Sequence, residues 1–151
     1  MFIITPFNFP FWLPFKSGIP NIALGNSVIL RTADSTPFTG LAVEELFREA
    51  GWDQHEFQNV FSEQSQTEEI IRNVNGVSFT GSSRAGKNIA EIAGRHLKKS
   101  VMELGGSDPF IVLEDADIDL AVDLAIKSRF ANAGQVCIAA KRFLIHESRY
   151  D

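Results

Sequence analysis

The hydrophobic positions fall into short apolar runs separated by stretches with helical spacing. Phe2 to Thr5 is an apolar run that predicts a buried strand, closed by Pro6, whose ring removes a backbone donor. After Gly25 and Asn26, the β-branched SVILR run predicts a strand over Ser27 to Arg31. From Thr36 to Ala50 the pattern turns helical: Thr36 stands at the N-cap, Pro37 at the first helical position, and Val43, Leu46, Phe47 and Ala50 lie on one face before Gly51 stops the helix. FQNVF (Phe57 to Phe61) predicts a strand, TEEIIRN (Thr67 to Asn73) a short helix and GVSFT (Gly76 to Thr80) another strand. A helix from Ser82 to about Leu97 follows, with Ala85, Ile89, Ile92 and Ala93 on its inner face. VMEL (Val101 to Leu104) and FIVL (Phe110 to Leu113) are continuous apolar strands, and the Gly105–Gly106 link with Pro109 marks a change of sheet or domain. The last helix begins near Asp117 and presents Ile118, Ala121, Val122, Ala125 and Ile126 as its buried stripe, before a closing strand over Arg142 to His146.

Strands alternating with helices predict an α/β fold with a mostly parallel sheet and right-handed crossovers. There is no internal repeat and no low-complexity linker. The chain starts inside a predicted strand and stops just after another, the pattern of a piece cut from something longer.

A chain of 151 residues is long enough for one domain with a sizeable core, or for one domain and part of another. Fourteen basic against nineteen acidic residues leave a net charge of −5, which argues against nucleic acid or an anionic membrane as partner. The apolar start, MFIITPFNFPFWLPF, lacks a basic leader, and Pro6, Pro10 and Pro14 break a spanning helix, so neither a signal peptide nor a membrane segment is expected. A single cysteine excludes an internal disulfide and suits a reducing, cytoplasmic setting. The three histidines share no metal-ligand spacing, and no metal is expected.

Several side chains stand out for chemistry. Cys137, in AGQVCIAAKR, is either an inert apolar filler or a reactive thiol held on an irregular connection after the last helix. Asn8 sits among prolines and aromatics, as a turn residue bonded to nearby backbone or as an amide donor aimed at a cavity. Glu103 interrupts an apolar strand, so it either faces water at a sheet edge or serves as a general base. GSSRAGK (Gly81 to Lys87) links a strand to a helix, where backbone N–H groups meet an anion. It nearly matches the phosphate loop of nucleoside triphosphatases but has Asn88 where a magnesium-ligating hydroxyl belongs; the glycines equally suit close packing of helix on strand. Arg31 and Asp34 read as a ribose-binding pair or as a solvated turn.

In one order, the motifs PFNFPFW, GNSVILRTADSTP, EELFREAG, VSFTGSSRAG, MELGGSDPFIVLEDAD and ANAGQVCIAAKR resemble the NAD(P)-dependent aldehyde dehydrogenase superfamily, above all its bacterial succinate-semialdehyde dehydrogenase-like members. The resemblance spans essentially the whole chain. It implies a Rossmann-like NAD(P)-binding domain over residues 1–105, lacking its N-terminal part, and over 106–151 the first part of an α/β catalytic domain truncated after its nucleophile.

The resemblance also implies roles. Cys137 matches the nucleophile that attacks an aldehyde carbon, the Asn8 amide and the Cys137 backbone N–H match the oxyanion hole, and Glu103 matches the base that activates the hydrolytic water. Asn8 and Glu103 come from the cofactor domain and Cys137 from the catalytic one, so the site is expected at their junction. Gly81, Ser82 and Gly86 are matched to the pyrophosphate, Thr5, Pro6 and Phe7 to the nicotinamide side, and Leu104 to the nicotinamide ring. Arg31 stands in place of a usual Lys and Asp34 in place of a Glu frequent in NAD-preferring members, which leaves NAD against NADP open. Phe7 replaces a frequent Trp. Lys16 lies where semialdehyde-oxidising relatives often carry an Arg that meets a substrate carboxylate. The whole parent is expected to be a homo-oligomer acting on a small aldehyde, and the chain alone to be inactive. Two other readings are a nucleoside-triphosphate module built on Gly81 and Lys87, and a non-catalytic remnant with exposed apolar surface.

Overall fold

The computed structural model describes residues 1–150, which form two compact units that part between Leu104 and Gly105. The first carries a five-stranded, wholly parallel sheet of β1 (Phe2–Ile4), β2 (Val28–Arg31), β3 (Phe57–Asn59), β4 (Gly76–Thr80) and β5 (Lys99–Glu103), in the order β3-β2-β1-β4-β5. Its helices are α1 (Trp12–Ala23), α2 (Pro37–Glu49), α3 (Thr67–Asn73) and α4 (Ser83–Arg95).

Alternation along β1 distributes the core. Phe2 and Ile4 point to one face, where Ile71 and Val74 near α3 and Ile89, Ile92 and Ala93 of α4 cover them. Ile3 points to the other, beside Val28 and Leu30, and is covered by Ile22 of α1 and by Val43 and Phe47 of α2. Strands buried on both faces read as unbroken apolar runs, which is why β1 is three buried residues in a row. On the α1 side Phe47 stacks on Phe57 with ring centroids 4.0 Å apart. Gly18 of α1 lies beneath that stack, where a Cβ would stand 3.2 Å from the Phe57 ring.

Helix α1 is absent from the sequence expectation. Pro14 reads as a breaker, yet it sits in the first turn, where a missing N–H costs nothing because no carbonyl precedes it in the helix. Other differences are smaller. β3 ends at Asn59 rather than Phe61, and β5 begins two residues earlier than its apolar run suggests, as do the later strands β6 (Asp108–Val112) and β7 (Ala140–Ile145). In α2 the inner face is Gly40, Val43 and Phe47; Leu46 and Ala50 are exposed, since the stripe turns with the 3.6-residue period toward Gly40. Thr36 occupies the N-cap without a side-chain cap bond, and its hydroxyl donates to the Ala33 carbonyl at 3.3 Å. In α4 the buried face is Gly86, Ile89, Ile92 and Ala93, with Ala85 outside it.

The second unit begins at Gly105 and holds β6 (Asp108–Val112), α5 (Ile118–Phe130) and β7 (Ala140–Ile145), the strands pairing in parallel with a register shift at Pro109. Proline cannot donate to a ladder, which accounts for the slip. Asp117 caps α5 by accepting the Leu120 N–H at 3.1 Å. The expected buried stripe of α5 is not buried: Ile118, Ala121, Val122 and Ala125 line an open apolar groove with Phe110, Val112, Phe143 and Ile145, and no residue of α5 is enclosed. Two strands and one helix offer too little surface to close over it. No helix among the described residues is long and apolar enough to cross a membrane.

Candidate active site: a nucleotide cleft and a cysteine turn

In the first unit the chain runs from β1 outward to β2 and β3, then returns to place β4 on the other side of β1. The strand order therefore reverses between β1 and β4, and at such a switch point the loops leaving the carboxyl ends of the strands diverge and open a crevice. A cleft of about 540 Å³ lies there, lined by Ile4, Arg31, Phe79, Ser82, Arg84 and Asn88 among others, with Asp34 at its rim and Gln64 and Thr67 from the segment leading into α3. A shallower one of about 290 Å³ shares Arg31 and Asp34 and reaches Ser62 and Pro37.

Ser82 is the N-cap of α4 and accepts the Ala85 N–H on its hydroxyl at 3.2 Å. No acidic residue occupies the first turn, so the positive end of the helix meets the cleft uncompensated. Arg84 adds a cation there. The Arg31 guanidinium is held by two bonds, from Nε to the Ser62 carbonyl at 3.0 Å and from Nη2 to Asp34 Oδ1 at 2.9 Å. The Arg31 side chain is mostly buried while that of its partner Asp34 is exposed.

Two buried hydroxyls at this end of the sheet lack partners among the described residues: Thr5 Oγ1, just beyond β1, and Ser62 Oγ, which lines the shallower cleft. Orphaned buried donors are rare and point to a ligand or water that satisfies them. Two arginines, a helix N-terminus and unpaired hydroxyls suit a phosphorylated, ribose-bearing group, so the residues present fit a dinucleotide.

Of the expected cofactor residues, Arg31, Asp34 and Ser82 line the cleft. Gly81 connects β4 to α4, its N–H donating to the Glu103 carbonyl at 3.0 Å. Gly86 lies on the buried face of α4, its N–H is spent on the Ser82 carbonyl at 2.8 Å, and any Cβ there would strike Leu104 Cδ2. It seats Leu104 against α4, one of the two places that the sequence reading left open for these glycines. Thr5 is buried, Pro6 half-buried and Phe7 exposed in the turn that leads past half-buried Asn8 into α1.

Glu103 is the last residue of β5. Its side chain is 58% exposed, and Lys16 of α1 brings its ammonium Nζ to 3.6 Å from Glu103 Oε1. Glu103 thus takes the sheet-edge position facing water, because β5 is an edge strand with an exposed face.

In the second unit Asn132, Ala133 and Gly134 take three consecutive left-handed conformations (φ 49°, 56° and 78°). Such backbone costs a non-glycine residue about 1–2 kcal/mol. A turn follows in which the Ala139 N–H bonds the Val136 carbonyl at 3.2 Å, so Cys137 sits at its second position with an exposed side chain. In this unit the thiol is exposed rather than enclosed in a core.

The residues along 1–151 match the aldehyde dehydrogenase family. The chain belongs to the aldehyde dehydrogenase family. It is 47% identical over 150 residues to an NADP(+) succinate-semialdehyde dehydrogenase of Deinococcus radiodurans, covering 98% of this chain and 31% of the relative. It is 41% identical over 155 residues to a benzaldehyde dehydrogenase of Bacillus subtilis, covering 99% and 32% respectively. Among solved structures, succinic semialdehyde dehydrogenase from Streptococcus pyogenes in complex with NADP+ superposes with a TM-score of 0.95 at 41% identity, over 99% of this chain and 33% of that one. The chain thus spans about a third of the length of these aldehyde dehydrogenases.

Sequence reasoning missed Arg84, Gln64 and Thr67 as cleft residues. Arg84 carried a signal, being a cation two places beyond the N-cap serine. Gln64 and Thr67 carried none, because their approach depends on which strand neighbours which.

Proposed function

We propose that the polypeptide carrying this chain oxidises an aldehyde to the carboxylic acid, with residues 1–105 binding NAD or NADP and residues 106–151 supplying the nucleophile. The observation that carries the reading is the cleft at the reversal of strand order, with Arg31, Ser82 and Arg84 at its walls and Asp34 at its rim, in a chain of this family. Arg31, Asp34 and Ser82 hold the nucleotide, with Gly81 shaping the loop, Thr5, Pro6 and Phe7 toward the nicotinamide, and Leu104 beside the ring. Accepting hydride is the chemistry that NAD or NADP supplies when bound.

The remaining work belongs to side chains of this chain. The Cys137 thiolate adds to the aldehyde carbon, and the negative oxygen that develops is held by the Asn8 amide and the Cys137 backbone N–H. After oxidation the acyl group remains on sulfur as a thioester. Glu103 takes a proton from a water molecule that adds to the thioester, and collapse releases the acid and the thiolate. Exposure of Glu103 suits a base that must reach bulk water to pass its proton on.

For the substrate, Lys16 offers a point charge to an aldehyde that also bears a carboxylate, as a semialdehyde does. The whole protein acts as a homo-oligomer, and a catalytic thiol suits the cytoplasm, where it stays reduced. The chain by itself has little or no turnover, since it spans about a third of its relatives' length.

Cys137→Ala in the complete polypeptide tests the reading: aldehyde-dependent NAD(P)H formation is expected to vanish while nucleotide binding persists. Retained turnover would refute it.

A further inference from the structure

Lys141 lies four residues beyond Cys137 at the start of β7, and nothing in the mechanism above employs it. Its ammonium donates to the Cys137 carbonyl at 2.6 Å and to the Val136 carbonyl at 3.3 Å. These two carbonyls belong to the peptide planes on either side of the Cys137 α-carbon. One plane carries the N–H of Cys137 itself, and the other follows its side chain. Fixing both planes fixes φ and ψ of Cys137, and with them the directions of Sγ and of the N–H.

The turn needs such an anchor. It follows the left-handed Asn132, Ala133 and Gly134, lies outside any regular element, and exposes Cys137. The bonds from the Ala139 N–H to Val136 and from the Ala140 N–H to Ser128 Oγ at 3.1 Å also hold the turn, and neither touches the Cys137 peptide planes beyond the shared Val136 oxygen. A charge on the Val136 carbonyl also polarises its amide, which strengthens the Cys137 N–H as a donor.

We infer that Lys141 is a positioning residue for the nucleophile: its ammonium clamps both peptide planes that flank Cys137 and so aims the sulfur and the backbone N–H together. The inference rests on Cys137 being the nucleophile, as proposed above. It predicts a loss in the chemical step rather than in binding.

The test compares Lys141→Met, Lys141→Arg and Cys137→Ser in the complete polypeptide. Lys141→Met keeps the stem and removes the donors; kcat is expected to fall about 10–100-fold, the cost of slight misplacement of a reacting group. KM for aldehyde and nucleotide should stay within about twofold, since ground-state binding is untouched. Lys141→Arg, which can still donate to both carbonyls, should recover most of the loss. Alkylation of Cys137 by iodoacetamide, followed against pH, should slow in Lys141→Met, a change that loss of stability alone would not give in a variant with unaltered melting temperature. Wild-type kcat and alkylation in folded Lys141→Met, or no recovery in Lys141→Arg, would overturn the inference. If Cys137→Ser keeps full turnover, the nucleophile assignment is what fails; an inactive Cys137→Ser beside a fully active Lys141→Met fails the clamp alone.

Discussion

Lys16 of α1 and Glu103 of β5 are far apart in the chain, yet their charged ends stand 3.6 Å apart at the carboxyl edge of the sheet. The contact exists because α1 packs beside β1 while β5 ends two strands away on the same side of the topology, so the first helix reaches the last strand. Both side chains are about half exposed, which limits what the pair adds to stability to at most about 1 kcal/mol. Its interest is chemical: the cation proposed to meet a substrate carboxylate already has a carboxylate beside it.

Lys16→Met therefore separates two roles. For an aldehyde bearing a carboxylate, KM is expected to rise about tenfold, equivalent to about 1.4 kcal/mol. For an uncharged aromatic aldehyde it should hardly change. Steady-state kinetics with both substrates checks this, and an equal effect on the two would assign Lys16 to Glu103 alone.

Asp34 sets a second prediction. Its carboxylate lies 2.9 Å from the Arg31 guanidinium, which would otherwise face a ribose phosphate with two N–H donors. Asp34→Asn removes the competing negative charge without removing bulk. Binding of 2′,5′-ADP should tighten about tenfold at low salt, while binding of 5′-AMP changes less than twofold. Titration calorimetry on the chain decides it, and equal gains for both ligands would contradict the pairing.

These two contacts show where the sequence was readable and where it was not. Strands such as Gly76–Thr80 and the helix Thr67–Asn73 were legible to the residue, because a short apolar run or a 3.6-residue stripe records burial directly. Ser82 was legible as a helix start next to a strand, and Asp117 as a residue near the start of the last helix. Helix α1 was not, since Pro14 and Pro20 are ordinary stop signals and only the fold reveals that one sits in the first turn and that Gly18 must face Phe57. For Glu103 the sequence offered a water-facing edge position as one of two readings but did not decide it, since an apolar run does not say whether its strand lies at an edge. The stripe of α5 is the reverse case: its spacing predicted a buried face, but in the second unit that face lines an open groove, because periodicity records a face and not what covers it.

Gly40 offers a test of the packing between α2 and β3. A Cβ there would strike the Asn59 amide, lying in contact with Oδ1 and 2.7 Å from Cγ. Glycine to alanine within a helix ordinarily gains about 0.5–1 kcal/mol. Here overpacking opposes it by about 1–3 kcal/mol, and Asn59 cannot easily yield, since it is 8% exposed and its N–H is tied to Glu44 Oε2 at 3.0 Å. Gly40→Ala is thus expected to destabilise the first unit in urea. Adding Asn59→Ala should reverse the sign, because the amide it removes is buried without partners.

Glu68 of α3 gives the pH dependence. Its carboxylate meets His96 Nε2 at 3.0 Å and Arg95 Nη2 at 3.1 Å, joining α3 to the end of α4. The hydrogen bond with His96, then that from Arg95, holds the Glu68 carboxyl below its ordinary value of 4.5. A depressed pKa in the folded state means that the folded form binds the proton more weakly than the unfolded one. The contribution of this contact is therefore complete above about pH 4.5 and is lost as pH falls through the lower, folded value. Carboxyl NMR of Glu68 should give a midpoint below 4.5, moving upward in Arg95→Ala and in His96→Ala. Amide exchange at the ends of α3 and α4 should quicken over the same acidic range, and a Glu68 midpoint at or above 4.5 would show that the two partners do not hold it.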